Sequence, residues 1–163
     1  MNVTPVKIKK IVRICHMFKQ ITVFIENKPG RLAQVTECLS EANINLHALS
    51  IADTSDFGIV RLVVSDAGRA MEILRAKGFM TQATDVVAIA TGHRPGSLHK
   101  ILCELEAFEI SIEYMYAFAS RLKEYDAIVI LRFDDQDAAI KKLKGSGIRI
   151  LGGELLERLN EDS

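Results

Sequence analysis

The sequence repeats itself. Pro29, Gly30 and Leu32 recur 66 positions later as Pro95, Gly96 and Leu98. The same offset pairs Val35 with Ile101, Leu39 with Leu105, Ala42 with Phe108, Ile44 with Ile110 and Leu46 with Ile112. Further along the offset becomes 69: Ile59, Val60 and Leu62 match Ile128, Val129 and Leu131, and Leu74 and Gly78 match Leu143 and Gly147. An insertion of three residues near 121–124 accounts for the change. It falls between two strand-like runs, where a hairpin tolerates extra length. The 163 residues therefore divide into two small modules rather than one domain of ordinary size. Two copies are too few for a solenoid, which needs about three.

Each module alternates two periodicities. Ile21, Val23 and Ile25 lie two apart, as on a strand with one buried face. Asn27-Lys28-Pro29-Gly30 interrupts them. Leu32, Val35, Leu39 and Ala42 then recur at helical spacing, until Glu41-Ala42-Asn43 closes the helix. Residues 44–52 and 57–64 read as strands joined by the turn chemistry of Asp53-Thr54-Ser55-Asp56. Ala70, Met71 and Leu74 form a second short helix that stops at Gly78, and 79–84 begin a fourth strand. The second module runs the same way: a strand at 86–90, a helical stripe of Leu98, Ile101, Leu102 and Leu105, and strands at 111–119 and 127–133. A helix follows through Ala139, Ile140 and Leu143, then a last strand at 148–151. The predicted fold class is α+β, two βαββαβ modules of ferredoxin-like topology packed together. The predicted boundaries are a basic leader at 1–17, modules at 18–84 and 85–152, and a C-terminal helical turn and tail at 153–163. No Gly/Pro/Ser linker separates the modules, which favours a fixed mutual orientation.

Charge narrows the partners. The chain carries 21 basic and 21 acidic residues. Five of the bases, Lys7, Lys9, Lys10, Arg13 and Lys19, lie in the first nineteen positions, leaving 16 against 21 acids in the body. A mildly acidic body argues against nucleic acid and acidic lipid. The leader's bases interrupt every candidate stretch for a secretory signal. It reads as a disordered extension, or as an over-long start with Met17 as the true first residue. No apolar run reaches the ~18 residues needed to cross a bilayer. Cys15, Cys38 and Cys103 are widely spaced without a C-x-x-C, so neither a disulfide framework nor a zinc site is expected, and a reducing, cytoplasmic setting is.

The repeated corner is the chemical feature. It ends at a helix N-terminus, where the first N–H groups lack intrahelical partners and the helix dipole adds partial positive charge. A glycine there leaves the backbone open to a ligand, and the amides of Gly30, Arg31 and Leu32 are candidates to hold an anion. The glycine patterns of dinucleotide and phosphate loops are missing, so a small carboxylate fits better than a nucleotide. P-G is also simply a common turn.

Two βαββαβ modules, each with N/H-x-P-G-x-L after the first strand, together with E-A-N-I-N-L and A-D-T-S-D-F-G-I-V-R-L, resemble tandem ACT-domain proteins, over roughly residues 18–152. The resemblance is closest to small stand-alone regulatory members without an attached enzyme. It implies amino-acid binding at the strand–helix corner between paired modules, regulation of amino-acid metabolism, no catalysis, no cofactor and a homodimer. The alternative it leaves open is a ligand-independent interaction module, or a regulatory subunit of a biosynthetic enzyme such as acetolactate synthase. Residue by residue, the family pattern matches Asn27 before Pro29 and Asn45 at the start of the second strand. With the amides around Gly30, Arg31 and Leu32 these would hold both ends of a zwitterion. The second module places His93, Gly96, Leu98 and Ser111 at those positions. That departs from the pattern, so the first corner is expected to be occupied and the second weaker or differently selective. Tyr114 and Tyr116, in Y-M-Y-A-F, either close the pocket from the partner module or serve packing.

The remaining candidates read blandly. His47 is expected at a surface or interface. His16 and His99 are read as lacking a metal-ligating partner one helical turn on. Asp53 and Asp56 fit a hairpin turn or, alternatively, help bind the ligand's amine, and residues 133–137, F-D-D-Q-D, fit helix capping. No nucleophile–base motif supports an enzyme. An RNA-binding reading of the same topology fails because the third strands carry aliphatics where bases would stack.

Overall fold

The computed structural model describes residues 16–53, 57–120 and 122–161. The leader through Cys15, the turn residues Thr54, Ser55 and Asp56, the side chain of Asp53, Arg121 and the last two residues lie outside that description. Contacts divide the chain into two compact units. The first comprises Lys19–Thr84 with 159–161, and the second Asp85–Arg158 with 16–18.

In the first unit β1 (Phe18–Glu26), α1 (Arg31–Glu41), β2 (Leu46–Asp53), β3 (Phe57–Val64) and α2 (Ala67–Ala76) lead into β4 (Met80–Thr91). The sheet order is β2-β3-β1-β4. β3 runs antiparallel to both β1 and β2, with Ile21 opposite Leu62, Glu26 opposite Phe57, and Asp53 opposite Gly58. The period-two pattern explains the core: Ile21, Val23, Ile25, Val60, Leu62 and Val64 share one cluster with Val35, Leu39 and Leu74 from the helices. Each helix stops where its chain turns left-handed. Asn43 (φ 55) ends α1, with Ile44 N–H donating to Leu39 O at 2.9 Å, and Gly78 (φ 86) ends α2, with Phe79 N–H donating to Leu74 O at 2.9 Å. This pattern satisfies carbonyls that the helix leaves over. Asp66 starts α2, its carboxylate accepting from Arg69 N–H at 3.0 Å.

The second unit repeats the plan with the 85–91 part of β4, α3 (Ser97–Ala107), β5 (Ile112–Ala119), β6 (Ala127–Phe133), α4 (Gln136–Gly145), β7 (Ile150–Leu151) and part of α5 (Glu154–Glu161). Its order is β5-β6-β4, with β7 on the other side of β4. Val87, Ile89, Val129, Leu131 and Phe133 pack with Ile101, Leu105 and Leu143. Glu109 (φ 55) and Gly147 (φ 77) end its helices at the repeat positions of Asn43 and Gly78. Asp135 caps α4 as Asp66 caps α2. The capping role expected for F-D-D-Q-D thus falls on Asp135.

Three expectations shift. The strands predicted at 79–84 and 86–90 form one strand, β4, of 12 residues. Thr84-Asp85-Val86 offers no glycine or proline to break it. The last strand shrinks from 148–151 to Ile150–Leu151, supported by an extra bond from Ala90 N–H to Arg149 O at 3.0 Å. The C-terminal turn is a helix of eight residues, α5, that buries Leu155 and Leu159.

Candidate functional site

The first corner leaves β1 at Glu26 and enters α1 at Arg31, with Gly30 as its N-cap in the left-handed region (φ 85, ψ −16). A side chain there would be strained even though a Cβ would meet nothing within 4 Å. The space beside Gly30 is therefore open. Asn27, Lys28, Pro29 and Gly30 are all exposed, and Leu32 is half-buried. Of the three candidate amides one is withdrawn: Arg31 N–H donates to Lys28 O at 3.3 Å. The N–H groups of Gly30 and Leu32 have no acceptor among the described residues, and the first helical bond is Gln34 N–H to Gly30 O at 3.0 Å.

Charge at this corner is organised around Glu26. Lys28 Nζ lies 3.0 Å from Glu26 Oε1, and Arg31 Nε lies 3.8 Å from Glu26 Oε2. The hydrogen bond from Lys28, then its charge, hold the Glu26 carboxyl below its ordinary range. Arg31 donates from Nη1 to Gln34 Oε1 at 2.7 Å and lies over the Phe79 ring at 4.8 Å. Among the described side chains at this corner, one acid and two bases give a net positive charge.

The second corner copies the backbone and not the surroundings. Gly96 has φ 86 and ψ −10, Ser97 N–H donates to Arg94 O at 3.1 Å, and Lys100 N–H donates to Gly96 O at 3.0 Å. Leu98 N–H, like Leu32 N–H, has no acceptor among the described residues. Here, however, His93 N–H donates to the Asp126 carboxylate at 3.1 Å. A Cβ on Gly92 would come within 3.3 Å of Ser97 Oγ and 3.8 Å of Asp126 Oδ2. The chain's own acid thus sits at this corner. Phe57, 56% exposed, stands at the matching position of the first.

Asn45 corrects the assembled picture. Its backbone pairs with Ser65, accepting from Ser65 N–H at 2.9 Å and donating to Ser65 Oγ at 3.0 Å. The corner lies where Glu26 faces Phe57, at the other end of β3. At the usual rise per residue the two places are on the order of 25 Å apart. β1 and β2 both run antiparallel to β3, so the end of one and the start of the other lie at opposite ends of the sheet. Asn27 and Asn45 of one unit therefore do not share a site. Ser111 repeats this geometry, accepting from Asp134 N–H at 3.2 Å, away from His93, Gly96 and Leu98.

A family model described as the ACT domain pair matches residues 16–150. The chain belongs to the ACT domain pair family. A crystal structure of a Bacteroides thetaiotaomicron protein is 42% identical, with a TM-score of 0.81, over 87% of this chain and 96% of that one. The regulatory subunit of aspartate kinase from Thermus thermophilus, in ligand-free form, shares 18% identity with a TM-score of 0.57, over 82% of this chain and 93% of that one. Its Thermus flavus counterpart gives 19%, 0.55, 80% and 92%. At such identities these two show a common fold. No curated protein matches the chain.

Within the ACT units the other candidates disperse. Tyr114 and Tyr116 stand opposite Arg132 and Ile130 on β5, half-buried, while Met115 between them joins the helix-side core. The two tyrosines therefore share the face away from the helices. His47 lies 2.7 Å, through Nε2, from Asn160 Oδ1, and Asn160 Nδ2 donates to Ser65 O at 3.3 Å. His99 does have a potential ligand one turn on: Cys103 Sγ lies 3.5 Å from its Nε2. A search for paired histidines misses it because the partner is a thiol. Two groups do not make a metal centre, and no cluster of three ligating residues occurs among the described residues. No helix there is long and apolar enough to cross a membrane.

Proposed function

We propose that the chain is a non-catalytic regulatory protein that binds a small amino acid at its first corner and acts on amino-acid metabolism. The observation that carries this reading is the open left-handed glycine at Gly30, flanked by two amides without acceptors among the described residues, at a helix start with net positive charge. Gly30 and Leu32 N–H hold the ligand carboxylate, and the Asn27 side chain faces its polar end. Asn45 cannot complete the same corner from within its own unit. It contributes only where another polypeptide brings it there, so the reading carries a homodimer with it. His93, Gly96 and Leu98 would form at most a weaker site, because Asp126 already supplies an anion there, and Ser111, like Asn45, lies at the other end of its unit.

A thermal-shift screen against the twenty amino acids tests this: one or a few should raise the melting temperature, and Asn27→Ala should reduce the rise without unfolding the protein. A flat response to all twenty would remove the sensor reading. The second reading is a regulatory subunit that works only with its enzyme. It is favoured by the structural likeness to the aspartate kinase regulatory subunit, of which this chain covers 93%. That reading is retained if no amino acid shifts the free protein but one does so with a bound enzyme present.

A further inference from the structure

The first unit carries a groove of about 570 Å³ that no part of the corner reading uses. Phe24 and Met80 supply its accessible apolar surface, with Phe79 only 5% exposed beneath, Arg75 supplies its charge, and Thr81 and Gln82 its neutral hydrogen-bonding groups. Gly78, left-handed at φ 86, turns the chain out of α2 into this wall. Such a volume is in the range of small-molecule sites.

Two features define what it accepts. First, Arg75 is held in place. Its Nε donates to Thr81 Oγ1 at 2.9 Å and its Nη2 to Thr81 O at 3.2 Å. That leaves the Nη1 edge without an acceptor among the described residues, on a guanidinium whose orientation is already fixed. A pre-oriented fork loses less freedom on binding a carboxylate than a loose one. The helix end behind it is not competing for the cation, because the carbonyls of Ile73, Leu74 and Arg75 already accept from Lys77, Phe79 and Gly78 N–H. Second, the lining contains no acid. Nothing in it would pair with an ammonium. Met80 is 70% exposed, so its part of the apolar surface lies open to solvent.

We propose that this groove binds an apolar monocarboxylate lacking an amino group, with its body against Phe24 and Met80 and its carboxylate on Arg75. The site borders the amino-acid corner, where Arg31 lies over the Phe79 ring, but it uses neither Asn27 nor the amides of Gly30 and Leu32 and does not depend on that reading.

The test is a titration of the full chain followed by NMR at the Met80 methyl and the Thr81 and Gln82 amides. The probes are 3-phenylpropionate, 3-phenylpropylamine and L-phenylalanine. The acid should give saturable shifts at these three positions, the amine none, and L-phenylalanine weaker ones. Arg75→Gln should weaken the acid by about tenfold, the lower range for a charge-assisted hydrogen bond. Asn27→Ala should leave it unchanged. Absence of saturable shifts with the acid, equal affinity for acid and amine, or an unaltered response in Arg75→Gln would each overturn the proposal. If Arg75→Gln disturbs the fold, Thr81→Val, which removes one of the two bonds that orient the guanidinium, serves instead and should also weaken the acid.

Discussion

The two corners have one backbone and two environments. Gly30 and Gly96 differ by a degree in φ and six in ψ, and the bonds from Arg31 to Lys28 and from Ser97 to Arg94 recur in place. Around the first stand Glu26, Lys28, Arg31 and Phe79; around the second stand Gly92, Arg94, Ser97 and Asp126. The shared part is what the turn demands: a residue without a Cβ penalty in the left-handed region, and a helix that starts one residue later. The unshared part is what a ligand would meet. Duplication of a turn therefore says little about duplication of a binding site.

The comparison should hold most firmly in the core. Leu39 and Leu105 occupy matching positions on α1 and α3, 2% and 1% exposed. Leu39→Ala and Leu105→Ala should each cost about 3 kcal/mol in chemical denaturation, the usual range for a buried leucine being ~2–5. A large gap between them would mean that the two units are not equivalent in packing, and the side-by-side treatment of their corners would lose its basis.

Next in size is the ligand response, where the corners should part. Asn27→Ala should weaken binding of whichever amino acid the thermal screen identifies by about tenfold, the loss of one hydrogen bond to a charged group. His93→Ala should leave it within error in isothermal calorimetry. Equal losses would show that both corners bind.

A third pair returns to equality. Gly30→Ala and Gly96→Ala meet no atoms within 4 Å, so only the left-handed backbone resists them. Each should cost about 1 kcal/mol. If Gly96→Ala were much the worse, the contacts of Asp126 and Ser97 at its corner would be implicated in holding the turn.

Much of the fold could be read from spacing because its punctuation is local. Pro29-Gly30 and the stop Gly78 each act within a few residues, and their repeats at Pro95-Gly96 and Gly147 made the modules visible. What spacing did not carry was which end of a sheet a residue occupies. Asn27 and Asn45 look close along the chain, yet antiparallel pairing through β3 puts them at opposite ends. The groove was invisible for a related reason. Phe24 and Arg75 are far apart in sequence and meet only through the pairing of β1 with β4 and the turn at Gly78. The continuous β4 lacked any residue that would have marked where one module ends.

The smallest expected effect is acid sensitivity confined to one corner. Lys28 and Arg31 lower the Glu26 carboxyl from 4.5, whereas Gly92 at the matching position has nothing to titrate. A group whose folded value is depressed favours the folded state above its unfolded value, and that contribution is lost as pH falls through the folded one. The window therefore lies below pH 4.5. Because Glu26 is fully exposed, solvent screens the pairing, and the global stability should change little. The local signal is the sharper readout. In an NMR pH titration the Arg31 and Leu32 amides should report a transition below pH 4.5 that disappears in Glu26→Gln. Persistence of that transition in the variant would assign it to another group and remove Glu26 as the organiser of the first corner's charge.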